Sequence, residues 1–190
     1  SRPWKTVQDF LAAAKAKDAA ITYGSVGVGS ATHIAAEKFR IAAGFAATHV
    51  PYRGGAEVIT DIMGGRIDFY FCPLSTALPL IQDGRVRALV VSSPKRVADL
   101  PDVPSPVDIG LKNADSVSWF AVFMPSKTPR DIIDKFHAAG VKVLAEPEMQ
   151  AKLKKLAVDP LPMTPAEMDV FVKQELDSNA ALLKSVAVKH

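Results

Sequence analysis

The stretch Gly24-Ser25-Val26-Gly27-Val28-Gly29-Ser30 holds the densest set of groups suited to binding an anion. Glycine lacks a Cβ, so Gly24, Gly27 and Gly29 let the backbone approach a ligand closely and turn its N–H groups toward it. Ser25 and Ser30 add hydroxyl donors, and the helical pattern that follows would bring its positive end to the same place. A carboxylate or a phosphate is the ligand such an arrangement suits. The spacing is equally that of a tight strand-to-helix turn in which Ser30 caps the helix.

Sharper phosphate and nucleophile motifs do not fit this loop. A Walker A loop needs Gly-Lys-Ser/Thr, and no lysine follows Gly29. A dinucleotide fingerprint needs a third glycine where Thr32 stands, and neither Ser25 nor Ser30 has the flanking glycines of a hydrolase elbow. His33 falls in the first turn of the following helix, where the dipole favours a neutral imidazole able to donate one hydrogen bond. It serves either a ligand or a neighbouring backbone group. His49 lies in an apolar strand and carries less functional weight.

Ser75 and Thr76 repeat the theme on a smaller scale, as hydroxyl residues in a loop between a strand and a helix. Ligands of open α/β sheets gather at the carboxyl ends of strands, so both loops point to one side of one sheet. Asp68 opens a strand, where it caps, pairs with Arg66 or faces a ligand cation, capping being the leading reading. No metal site is expected: His137 and His190 stand alone, no paired histidine spacing occurs, and Cys72 is a single cysteine inside the apolar run Phe69-Tyr70-Phe71-Cys72. Buried there, it reads as a small hydrophobe. No cofactor motif is present.

The elements that must position these residues alternate. A helix over 6–17 has Thr6 as N-cap and Asp9 three residues on. A strand over 21–23, the glycine loop, and a helix to about Ala43 follow. His49–Tyr52 reads as a strand and 56–63 as a helix closed by Gly64-Gly65. Residues 67–72 read as a buried strand, 77–82 as a short helix and 87–91 as another strand. Such alternation predicts parallel strands with right-handed crossovers, an α/β architecture. The proline-rich stretch 100–106 marks the approach to a boundary. Beyond it, 119–124 reads as an apolar strand. Three helices follow, with Thr128-Pro129, Pro147 and Thr164-Pro165 as their starts.

Composition agrees with a folded chain: of 190 residues, 48% are hydrophobic and 23% charged. The net charge of +3 is spread among acidic neighbours, and no basic stripe interleaves with aromatic rings, so nucleic acid is not an expected partner. No run approaches a membrane span, and SRPWKTVQDF lacks the pattern of a signal peptide.

An ordered series of blocks resembles one family. Tyr23-Gly24-Ser25 through Gly29-Ser30 and His33, then His49-Val50-Pro51-Tyr52-Arg53-Gly54, Gly65-Arg66-Ile67-Asp68, Gly84-Arg85-Val86-Arg87-Ala88-Leu89, Leu100-Pro101-Asp102-Val103-Pro104, Trp119-Phe120 and Thr128-Pro129 are similar to blocks of the tripartite tricarboxylate transporter receptors, which include the Bug proteins. The resemblance implies a periplasmic-binding-protein type II-like α/β lobe with a parallel-rich sheet over 1–116. Residues 117–190 would then supply a strand and carboxyl-terminal helices of the other, incomplete lobe. It implies a periplasmic, non-catalytic receptor that binds a small carboxylate through Ser25, Gly27, Val28, Gly29 and Ser30. His33 stands near, Ser75 and Thr76 lie on the adjoining loop, and membrane permease subunits are the partner. Relative to the family pattern, the first part of one lobe is not in this sequence. Ile132, Ile133, Phe136, Val170, Phe171 and Leu182 would then lack cover, an expectation of homodimerisation or domain swapping.

Overall fold

The computed structural model describes residues 2–187, the last three of them as helix backbone alone. Contacts divide the chain into two units: one holds residues up to Ser118 together with the chain from Leu182 onward, the other Trp119–Ala181.

In the first unit, α1 (Val7–Ala14) opens on a complete capping box between Thr6 and Asp9, as its sequence predicts. A parallel sheet follows in the order β2-β1-β3, formed by β1 (Thr22–Ser25), β2 (Thr48–Pro51) and β3 (Phe69–Tyr70). β1 is central, with Tyr23 opposite His49 on one side and Phe69 on the other. Helices α2 (Ala31–Ala43), α3 (Gly55–Met63) and α4 (Leu74–Gln82) follow the three strands in turn. Because the strands are parallel, their carboxyl ends and the amino ends of these helices share one edge of the sheet.

Packing explains why the strands hold. Val7, Phe10, Ala14, Ile21, Phe39, Ala43 and Phe45 form a buried cluster, and Phe10 meets Phe45 and Phe69 edge-on at 5.6 and 5.3 Å between ring centres. Burial of each large side chain contributes about 1.5–3 kcal/mol. Gly24 is required by close approach: a Cβ there would lie 2.5 Å from Val58 Cγ1 and 2.7 Å from Ile67 Cδ1.

Three expected strands differ. The strand over 67–72 shortens to two residues, because only Phe69 and Tyr70 meet β1 and the Cys72 N–H turns back to the Tyr70 carbonyl. Residues 87–91 form no strand: Val91 N–H bonds the Pro104 carbonyl instead of a ladder. Residues 119–124 are irregular too, with Phe120 89% exposed and no strand beside them among the described residues. Asp68 neither caps nor pairs with Arg66, which joins Asp61 at 2.7 Å. Its Oδ2 accepts from Thr22 N–H and Oγ1, and Arg2 Nε lies 2.6 Å from Oδ1, off the angle of a hydrogen bond, as an ion pair.

The second unit contains α5 (Arg130–Leu144), α6 (Pro147–Lys155) and most of α7 (Pro165–Ala187). Thr164 closes on Glu167 at the start of α7, and Pro147 occupies the first turn of α6. α5 starts one residue later than expected, with Pro129 as its cap.

Candidate functional site

The loop after β1 is built by its own hydrogen bonds. Ser25, the last residue of β1, is fully buried; its Oγ accepts the Gly27 N–H at 3.1 Å and lies 2.6 Å from His49 Nε2. Ser30 caps α2: its Oγ accepts the His33 N–H at 3.3 Å and donates to the Gly27 carbonyl at 2.7 Å. Thr32 Oγ1 accepts from Val26 N–H, and His33 Nδ1 accepts from Gly29 N–H, both at 3.1 Å. Gly27 and Gly29 have φ of 117° and 79°, a region that favours glycine.

These bonds use the N–H groups of Val26, Gly27 and Gly29, and Ser30 N–H returns to the Gly27 carbonyl. The donors left over belong to Val28, at the 75%-exposed tip, and to Ala31 and Thr32, the first two residues of α2. The two serine hydroxyls therefore shape the loop, and backbone N–H groups at a helix amino end are what it presents. That combination suits an anion.

Three aromatic rings stack beneath the loop. Tyr23 from β1 and His49 from β2 lie 4.9 Å apart, and His33 from α2 lies 4.2 Å from His49. Ser25 and His49 are diagonal neighbours on one face of the β1–β2 pair, which brings their polar atoms together. The Tyr23 hydroxyl donates to Glu37 Oε1 at 2.5 Å, and Arg40 grips Glu37 with two bonds of 2.9 and 2.6 Å. Burial raises the Glu37 carboxyl, but hydrogen bonds from Arg40 and Tyr23 outweigh it and hold the group below its ordinary value. Burial, then the hydrogen bond to Glu37 and its charge, pushes the Tyr23 hydroxyl far up. Burial lowers His33, Glu37 opposing and Arg40 adding, so the imidazole is neutral. A neutral ring whose Nδ1 accepts Gly29 N–H carries its proton on Nε2.

The structure thus gathers Ser25, Gly27, Val28, Gly29, Ser30 and His33 into one loop-and-helix unit. Ser75 and Thr76 sit not in a loop but in the first turn of α4, both exposed, at the end of β3. Near Gly55 the neighbouring elements converge: its added Cβ would lie 3.5 Å from the Tyr70 hydroxyl and 4.0 Å from Val26. Sequence reasoning gave His49 too little weight and overlooked Thr32 and the Tyr23–Glu37–Arg40 support. Polar residues at alternate strand positions, Tyr23 and Ser25 against His49, were the available signal. Among the described residues no group of three His, Cys, Asp or Glu side chains is placed to hold a metal. Cys72 is partly buried, and burial pushes its thiol up to about 11. His190 lies outside the described residues.

The profile described as "Tripartite tricarboxylate transporter family receptor" matches residues 1–188. The chain belongs to that family. It is 30% identical over 182 residues to the UPF0065 protein in the TAR-I ttuE-ttuC' intergenic region of Agrobacterium vitis, covering 94% of this chain and 53% of the relative. To protein BugT of Bordetella pertussis it is 25% identical over 180 residues, 95% of this chain and 55% of the other. The chain spans about half the length of the curated relatives it matches.

Among solved structures, Rpa4515 of R. palustris with adipate is similar at a TM-score of 0.87 and 27% identity, over 98% of this chain and 62% of the other. The periplasmic binding protein BugD gives 0.82 and 28%, over 99% and 64%. The fold is therefore of the periplasmic-binding-protein type, with its glycine loop at the carboxyl edge of a parallel α/β sheet. No helix among the described residues is long and apolar enough to cross a membrane.

Proposed function

We propose that this chain supplies the anion-binding lobe of an extracytoplasmic solute receptor that takes up a small dicarboxylate for a membrane permease. The observation that carries the reading is the glycine loop, which satisfies its own hydroxyls and leaves the N–H groups of Val28, Ala31 and Thr32 as donors at a helix amino end. The similar Rpa4515 of R. palustris, whose structure is with adipate, supports the ligand class. Ser25, Gly27, Gly29, Ser30 and His33 hold the loop in shape, and Ser75 and Thr76 face the ligand from α4. Such a lobe binds and releases; His33, 3% exposed with Nδ1 already engaged, is poorly placed as a general base.

Residues 1–116 are the proposed lobe and 117–190 the proposed return to the other lobe. Ile132, Phe136 and Val170 are 48%, 50% and 58% exposed, which supports cover by the remaining lobe in a longer protein, or by a second copy of this chain. A periplasmic place of work goes with the receptor role.

Ala31→Pro tests the site with little disturbance of the fold. Proline suits the first helical position, and Ser30 already has the extended backbone that a following proline requires. The substitution removes one donor aimed at the ligand, and adipate affinity measured by calorimetry should fall roughly tenfold to a hundredfold, the usual worth of a hydrogen bond to a charged group. Unchanged affinity would move the carboxylate elsewhere.

A further inference from the structure

We infer that His33 is the positioning residue of the glycine loop, and that the chain holds a carboxylate well only while this imidazole carries a single proton, on Nε2. The inference rests on the proposed carboxylate site and adds a control to it. Gly29 has no other acceptor for its N–H within the loop than His33 Nδ1, 3.1 Å away, and Gly29 is the residue whose positive φ turns the chain into the cap of α2. Gly29 lies between Val28, which carries one proposed ligand donor, and Ser30, which leads into Ala31 and Thr32, which carry the others. Fixing Gly29 therefore fixes the direction of all three. A second proton on His33 would occupy Nδ1, convert the acceptor into a donor facing another N–H, and expel Gly29 from its place.

The surroundings of His33 resist that second proton through geometry. Its ring lies 4.2 Å from His49 on β2 and 6.2 Å from Tyr23 on β1, nearly parallel to both. From its own helix it is faced by Glu37 and Arg40, which neutralise one another through two hydrogen bonds. No unpaired carboxylate therefore stands ready to stabilise an imidazolium, and the first-turn position adds the unfavourable dipole. Acid can protonate His33 only by loosening the loop. Affinity and loop order should fall together as pH drops below the range where an ordinary histidine takes up its proton, about 6.5.

The test compares wild type, His33→Ala, His33→Asn and His33→Gln, each checked for folding by circular dichroism, with adipate as the calorimetric probe from pH 8 to pH 5. Asparagine can place an acceptor oxygen near the position of Nδ1 and cannot be protonated, whereas glutamine places its oxygen near Nε2. At pH 8, His33→Ala should bind about tenfold more weakly, equivalent to ~1.4 kcal/mol. His33→Asn should recover most of that loss and His33→Gln should not. Between pH 8 and pH 5 the ratio of wild-type to His33→Asn affinity should fall; protonation of adipate itself cancels in this ratio. A constant ratio, or a His33→Asn variant as weak as His33→Ala, would overturn the inference. If wild type binds no adipate at any pH, the carboxylate reading fails instead. The positioning role is then decided by nitrogen NMR of the His33 ring: a proton on Nε2 supports it and a proton on Nδ1 sinks it.

Discussion

The two units are written in similar amphipathic code and differ in what their apolar faces meet. Among the described residues, every one that is buried lies at or before Ala114, and none lies in Trp119–Ala181. In the first unit α1 and α2 close over a sheet, and the charged pair Glu37–Arg40 is taken inside with its hydrogen bonds satisfied. In the second, α5 and α7 carry their charges as exposed pairs four residues apart, such as Arg130–Asp134 and Lys173–Asp177, while Phe120, Phe123 and Val170 stay more than half exposed. Periodicity is enough to make a helix. A core also needs a second surface at the right place.

The sharpest way to break this contrast is a pair of phenylalanine truncations. Phe10 is 2% exposed and has Trp4, Phe39, Phe45 and Phe69 around it, so Phe10→Ala should cost ~3–5 kcal/mol. Phe120→Ala should stay within about 0.5 kcal/mol. The two tryptophans report separately, Trp4 edge-on against Phe10 and Trp119 against Phe171, so urea unfolding followed in single-tryptophan variants assigns each effect to its unit. A Phe120→Ala cost near that of Phe10→Ala would show that the 119–124 segment is covered in solution, and a dimer by native mass spectrometry would identify the cover.

A smaller effect in the first unit comes from Gly24→Ala. The new methyl would overlap Val58 and Ile67, both buried and both carbon-lined, so the strand or the helix must shift. Overpacking of this kind costs about 1–3 kcal/mol. Because Gly24 precedes Ser25, adipate binding should weaken as well, and wild-type stability in this variant would mean that β1 and α3 are looser than the packing indicates.

What the sequence made legible follows the same division between local and distant causes. The Thr6–Asp9 capping box, the Ser30 cap and the glycine loop depend on neighbours a few residues apart, and each could be placed without knowing the fold. β3, residues 87–91 and residues 119–124 are all rich in apolar residues, but a strand exists only where a partner ladder runs. Only Phe69 and Tyr70 find one. His49 was undervalued for the same reason: its closeness to Ser25 and His33 arises from the register of β1 against β2, a relation across more than twenty residues. Ser75 and Thr76 lie inside α4 and not in the loop before it, because α4 starts after Pro73, sooner than the pattern predicts.

Acid should act on the first unit before the second. His33 is held neutral in the fold, below the ordinary value of 6.5, so the unfolded chain binds the extra proton first and stability falls as pH drops below about 6.5. Glu37 adds a second loss below its ordinary 4.5, since its folded value is lowered and protonation breaks the bonds to Arg40 and Tyr23. In the second unit Glu167, lowered by its bonds to Thr164, gives a loss only in that lower range. Trp4 fluorescence in mild urea should therefore report destabilisation between pH 6.5 and 5 while Trp119 does not. Coincident acid transitions would mean that the units unfold as one.

The smallest expected effect has the opposite sign. Gly140 lies inside α5, and a Cβ built there meets nothing within 4 Å, whereas the same addition at Gly24 meets two side chains below 3 Å. Its backbone is helical, so alanine adopts it without strain and removes conformational freedom from the unfolded chain alone. Gly140→Ala should stabilise the second unit by about 0.5–1 kcal/mol, seen as a later urea midpoint for Trp119 and none for Trp4. A destabilised protein would place another surface against α5 at Gly140, and the unpartnered helix face would prove to be an interface.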